Sequence, residues 1–121
     1  MRKLFFTLFI IASVQSAVMA QATTDKKALA KAETRTELIS KLSFSEANAD
    51  RIIEIENEFF ASLAAANLLS ETTTAEKKEK HGKIHAAHVL RRSKLMELPL
   101  NGRQMEDVIE LSESIRRKHK V

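Results

Sequence analysis

Apolar residues recur three and four apart through most of this chain. Ile52, Ile55, Phe59, Leu63 and Ala66 form one stripe, widened by Ile53 and Phe60, and Met105, Val108, Ile109, Ser112 and Ile115 form another. That spacing lines one face of a 3.6-residue helix. No segment alternates apolar and polar residues as a half-buried strand would. The pattern predicts an all-α chain of about four helices. The first covers 25–41 and is rich in Ala, Lys and Glu, with Leu29, Leu38, Ile39 and Leu42 as candidate core contacts; residues 21–30 are expected to include a disordered start. The second opens at Ser45 and runs to about Leu69, and Ser70 to Thr74 connects it to a third helix over about 75–98. Pro99 stops that helix, because its ring removes a donor and disfavours helical geometry in the residue before it. Asn101 opens the fourth, which closes on Arg116, Arg117 and Lys118, cations suited to a helix C-terminus.

Two of these helices are copies of one device. Residues 42–59 align without a gap on residues 98–115: Leu42 over Leu98, Phe44 over Leu100, Ser45 over Asn101, Asn48 over Gln104 and Asp50 over Glu106. Ile52, Ile53, Ile55 and Phe59 then fall on Val108, Ile109, Leu111 and Ile115. Each copy is a short apolar lead-in, a capping residue, an amide three positions later and an amphipathic helix. Ser45 and Asn101 are N-cap residues that can satisfy an orphan amide of the first turn. Asn48 and Gln104 stand where a capping box places its second member.

The first twenty residues change the picture, because they read as an export signal. Arg2 and Lys3 precede an apolar run from Leu4 to Val14, too short to span a bilayer, and cleavage is expected near Ala20 or Ala22. No stable membrane insertion is expected after cleavage. Residues 21–121 then form a single helical domain. With no Cys there is neither a lipid-anchor site nor a disulfide, which points to a bacterial periplasm rather than a disulfide-stapled secreted domain. Removing Arg2 and Lys3 lowers the formal net charge from +4 to +2, which with export argues against a nucleic-acid partner.

Candidate chemistry is sparse. His81, His85 and His88, at i, i+4 and i+7, share roughly 60° of one helical face. Such a set could hold a zinc, copper or nickel ion, with Glu79 and His119 as further donors. Ile84, Val89, Leu95 and Met96 lie on or beside the same arc, so packing is the competing reading. Gly82 in this helix offers a place for close approach of a partner helix. Ile52, Ile55, Phe59 and Phe60 are the candidate apolar contact surface, against the alternative of plain core or a dimer seam. Nothing suggests an enzyme: there is no nucleophile elbow, no Cys and no Gly-rich phosphate loop.

The lead-ins Leu98-Pro99-Leu100-Asn101-Gly102-Arg103-Gln104 and Leu42-Ser43-Phe44-Ser45-Glu46-Ala47-Asn48 resemble the L-T-x-x-Q motif found twice in small periplasmic helical proteins of the Spy and CpxP type. Ser45 and Asn101 stand in place of the motif's Thr, and Asn48 in place of its first Gln. The resemblance spans Leu42 to Val121. It implies antiparallel helices in a cradle-shaped homodimer that acts in envelope stress, as an ATP-independent chaperone for unfolded or damaged envelope proteins. The alternative it leaves open is a metal-binding or stress-sensing accessory protein using His81, His85 and His88, since some members of that family bind zinc.

Overall fold

The computed structural model describes residues 25–121. The expected signal segment and both cleavage positions lie outside the described residues. Four helices make up the fold: α1 over 25–40, α2 over Glu46–Asn67, α3 over Thr74–Met96 and α4 over Gly102–His119. No strand occurs among the described residues. Residues 25–30 are helical and Ala30 is buried; the rest of the expected disordered start, 21–24, lies outside the described residues.

The caps sit where the repeat puts them, with one difference. At α4 the Gln104 backbone N–H donates to the Asn101 side-chain oxygen (2.8 Å), and the Asn101 N–H donates back to Gln104 Oε1 (2.9 Å). At α2 the Asn48 N–H donates to Ser45 Oγ (3.2 Å), but the return bond is absent. Asn48 is one methylene shorter than Gln104 and falls short of the cap's backbone N–H. A third cap escaped the sequence reading. Thr73 Oγ1 accepts from the Glu76 N–H (3.1 Å), while the Glu76 carboxylate reaches back to the Thr72 N–H and hydroxyl. Hydrogen bonds from the Ser70 and Thr72 hydroxyls hold the Glu76 carboxyl below the usual carboxylate range. The threonine-rich connector is therefore a helix start as much as a link. Asn101→Ala should cost about 1 kcal/mol of unfolding free energy, and Asn48→Ala only a few tenths, measured by urea titration.

The repeat extends to the helix that precedes each copy. α1 ends at residue 40 and α3 at Met96; α2 starts at Glu46 and α4 at Gly102, the same 56-residue offset throughout. Arg35 of α1 bonds Asp50 of α2 (2.8 Å), and Arg92 of α3 bonds Glu106 of α4 (2.7 Å). Asp50 and Glu106 are 56 apart, whereas Arg35 and Arg92 are 57 apart, as are the fully buried Leu38 and Leu95. The slip of one residue has a cause in the connectors. Ser43 adopts φ 60°, and the Phe44 N–H then donates to the Leu38 carbonyl (3.0 Å). Its counterpart is Pro99, whose ring forbids positive φ, and there the Leu100 N–H donates to the Leu98 carbonyl instead (2.7 Å).

Leu38, Ile52, Ile55, Leu95 and Val108 are the large side chains fully shut from solvent, and Phe44, Ala49, Ile53 and Met105 complete their cluster. α4 buries Met105, Val108, Ser112 and Ile115, with Ile109 half-buried, as its spacing predicts. α1 departs from expectation only at Leu29, which is 59% exposed. Leu38 is buried and Ile39 and Leu42 pack against the cluster as expected, and Ala30 and Thr34 are also buried. Leu63, expected on the core stripe of α2, is half-buried.

Candidate functional site

Three places in the bundle deserve a chemical reading: a buried ion cluster, a groove with a basic rim, and the outer face of α3. The cluster centres on Arg91 of α3. Its Nε donates to both Glu56 carboxylate oxygens (3.1 and 2.8 Å), Nη1 to Glu113 Oε1 (2.9 Å) and Nη2 to Ser112 Oγ (3.2 Å). Ser112 Oγ donates to Glu56 Oε2 (3.1 Å), and the guanidinium carbon lies 4.0 Å from the centre of the Phe59 ring. Arg91 and Glu56 are both almost wholly buried. Burial pushes the Glu56 carboxyl up, while the Arg91 guanidinium and the Ser112 hydroxyl pull it back. Among the described residues no buried side-chain nitrogen or oxygen lacks a partner. The cluster joins α2, α3 and α4. The signal for it was present in sequence: Glu56 sits on the Ile52, Ile55, Phe59 stripe, where an acid is out of place, and Arg91 sits one turn before Leu95.

Members of the repeat also touch each other here. Glu56 and Ser112 are equivalent positions, and so are Phe60 and Arg116, whose guanidinium lies 4.0 Å from the centre of the Phe60 ring. Equivalent positions of the two copies are thus in contact at two places.

The groove, about 400 Å³, lies between α1, α2 and α4. Ala30, Ile53, Phe60, Ala61 and Ala64 supply its apolar lining, and Lys27, Lys31 and Arg116 its charge. Arg116 is partly desolvated with no carboxylate beside it, which lowers its pKa from the usual value. Beyond the groove, the end of α4 is tied to α1 through Glu33, which binds Lys118 and His119 (Nε2 to Oε2, 2.6 Å). The Lys118 ammonium, and after it His119, holds the Glu33 carboxyl below its ordinary range.

The four residues expected to form an apolar contact surface separate in the fold. Ile52, Ile55 and Phe59 are at most 3% exposed, so an open surface built on them is corrected to core: the stripe that would have met a client meets α3 and α4. Ile55 and Phe59 still floor a shallow groove of about 290 Å³ beside Leu90 and Lys94. Phe60 is half-buried on the other groove.

His81, His85 and His88 are exposed on α3. His88 packs edge-on against Phe59, with ring centres 4.9 Å apart, and His119 is engaged with Glu33. Among the described residues no three His, Cys, Asp or Glu side chains come together to hold a metal ion, so the expected donor set does not assemble within one chain. The same helix presents a face that sequence reading undervalued. Gly82, Ala86, Val89, Ser93 and Met96 follow a four-three-four-three spacing, are all exposed, and are flanked by exposed Leu90. At about 100° per residue these six occupy some 120° of arc with no charge between them. A Cβ on Gly82 would meet nothing within 4 Å, so that backbone is open.

No helix among the described residues is long and apolar enough to cross a membrane. Compared with known families, curated proteins and solved structures, the chain matches no family model, no curated protein and no solved structure.

Proposed function

We propose that this is an exported, ATP-independent chaperone-like protein of envelope stress, holding unfolded or damaged envelope proteins in the periplasm. The observation that carries the reading is the uncharged stretch of the outer face of α3 from Gly82 to Met96, where Val89, Leu90 and Met96 stand 53%, 52% and 70% exposed. Single exposed aliphatic residues are ordinary, but several on one helical face mark a contact surface. The groove beside Leu90, floored by Ile55 and Phe59 and edged by Lys94 and Glu58, continues that surface. Contacts of this kind are weak one at a time and let a client go without nucleotide. The same face has the spacing of a helix-pairing seam, so the competing use of it is as the homodimer contact that the resemblance implies.

The test is light scattering from a denatured client diluted into buffer with the purified protein and no nucleotide. Suppression at near-equimolar ratio is expected. Leu90→Ser with Met96→Ser should weaken it several-fold while far-ultraviolet dichroism is unchanged, because exposed substitutions of this kind stay within about 0.5 kcal/mol of the parent. Scattering that rises as if no protein were present would end the chaperone reading. Sedimentation of the same double variant separates a client face from a dimer seam, since only the seam predicts a shift to monomer.

A further inference from the structure

We propose that the groove between α1, α2 and α4 is a binding site for a single-chain carboxylate amphiphile of the fatty-acid class. It lies apart from the client-holding face on α3 and does not depend on it. At about 400 Å³ it falls within the range of small-molecule sites. The lining contains three cations, Lys27, Lys31 and Arg116, and no Asp or Glu. None of the three has a carboxylate within ion-pair distance among the described residues, although Arg35, Arg91, Arg92, Lys94 and Lys118 all do. Residues 1–24 contain no Asp or Glu, so they bring no internal counter-ion, and their Arg2 and Lys3 make that segment an unsuitable occupant. Arg116 is held against Phe60 and half shut from water without an anion. An anionic group is the missing charge.

The walls decide what the rest of the ligand is. They are helices, whose backbone N–H and C=O groups are bonded internally. Thr34 Oγ1 donates to the Ala30 carbonyl (2.7 Å), and Ser112 is committed to Glu56 and the Ile109 carbonyl. Asn57 alone among the neutral polar lining residues has its side chain uncommitted. An extended peptide laid here would bury amides with nothing to pair them, at a cost of kilocalories each. An acyl chain has no such groups and fits a channel left open by Ala30, Ala61 and Ala64.

Calorimetric titration of the purified protein with laurate below its micelle concentration tests this, with acetate, dodecyltrimethylammonium and an acidic peptide as comparisons. Laurate should saturate at one per chain, the cationic amphiphile should bind at least tenfold more weakly, and acetate and the peptide should give no heat. Lys31→Gln with Arg116→Gln should weaken laurate about tenfold or more, the scale of a lost charge-assisted hydrogen bond. Arg117→Gln, on the exposed neighbour, should leave it unchanged. Ala64→Trp, which fills the groove from an exposed position, should abolish binding; if that variant loses helicity, the Lys31 and Arg116 pair carries the test. Equal binding of the cationic amphiphile, laurate binding that survives a folded Ala64→Trp, or binding of the peptide without laurate would each overturn the assignment.

Discussion

Arg91→Met should lower the unfolding free energy by about 3–5 kcal/mol, the scale of removing one partner from a buried ion pair. For a domain near 100 residues that is a fall in Tm on the order of 15–25 °C. The loss comes from Glu56, left almost wholly buried with only Ser112 to bond it, and not from the worth of the pair itself. Glu56→Met added to Arg91→Met should therefore recover most of it, because two apolar side chains of similar volume leave nothing charged inside. Ser112 still donates to the Ile109 carbonyl, and Glu113 can turn to solvent. Arg91→Lys should behave like a partial deletion, since an ammonium cannot serve Glu56, Ser112 and Glu113 in the guanidinium's fixed fork. The single variant also carries a pH signature. Burial already pushes the Glu56 carboxyl up, and without Arg91 it rises further. A carboxyl raised above its unfolded value binds more protons in the native state, so its contribution is fully present below the unfolded pKa and is lost as pH rises through the folded one. The deficit of Arg91→Met against the parent should then shrink between pH 7.5 and pH 5. Glu33, Glu58 and Glu76 work in the opposite sense, their carboxyls being lowered, and their contribution is lost as pH falls through those depressed values. Urea titrations at the two pH values measure this, and a deficit independent of pH would mean that Glu56 is not the group left exposed to the penalty.

The contact between equivalent positions explains why this polar cluster is made of unlike residues. Where equivalent residues of two copies meet, identical side chains would face themselves: two glutamates would repel, and two copies of a cation likewise. The chain has a Glu opposite a Ser and a Phe under an Arg instead. Away from those meeting points, Ile52 and Val108 or Phe59 and Ile115 keep their apolar character and their burial. Arg91 of α3 then binds both the acid at the meeting point, Glu56, and Glu113 of α4, while Arg92 makes with Glu106 the pairing that Arg35 makes with Asp50.

How far the fold was legible follows from the same physics. α2 and α4 could be read almost to the residue because a capping side chain, a strong apolar stripe and a stop signal agree within each. The Thr73 cap could have been read as well, since Thr73 and Glu76 have capping-box spacing, but the run of threonines around it looked like a loop. The ion cluster was legible only in part: an acid at Glu56 on an apolar stripe is a signal, but single-sequence patterning assigns Glu and Arg to solvent, and only the fold reveals that α3 and α4 bring Arg91 and Ser112 to it. For the candidate sites, spacing correctly placed the histidines on α3 but could not show that no further donor converges on them. The large side chains Ile52, Ile55 and Phe59 were read as a surface because hydrophobicity does not distinguish a face awaiting a partner from one already covered by another helix. The α1 groove was missed because alanines and lysines carry no periodic signal of their own.

That last difficulty sets up the most demanding test of the core. Leu29 and Leu38 look alike in sequence, one hydrophobic residue each on an alanine- and lysine-rich helix, yet they are 59% and 0% exposed. Leu38→Ala should cost about 2–5 kcal/mol, the sum of lost transfer free energy and the cavity left behind, and Leu29→Ala should stay within about 0.5 kcal/mol. Leu95→Ala should match Leu38→Ala, because both residues are wholly enclosed in one cluster with Ile52, Ile55 and Val108 and stand in the last turn of their helices. Together the two deletions approach the entire stability of a domain this size, about 5–15 kcal/mol, so the double variant should be largely unfolded at 25 °C by far-ultraviolet dichroism. Chemical denaturation of the singles gives the comparison. If Leu29→Ala proved as costly as Leu38→Ala, α1 would have to be turned on its axis from the packing described here, and the alanine-lined groove would turn with it. A neutral Leu29→Ala beside a damaging Leu38→Ala keeps Ala30 and Thr34 against the core, which is the condition for Lys27 and Lys31 to face Arg116 across the groove.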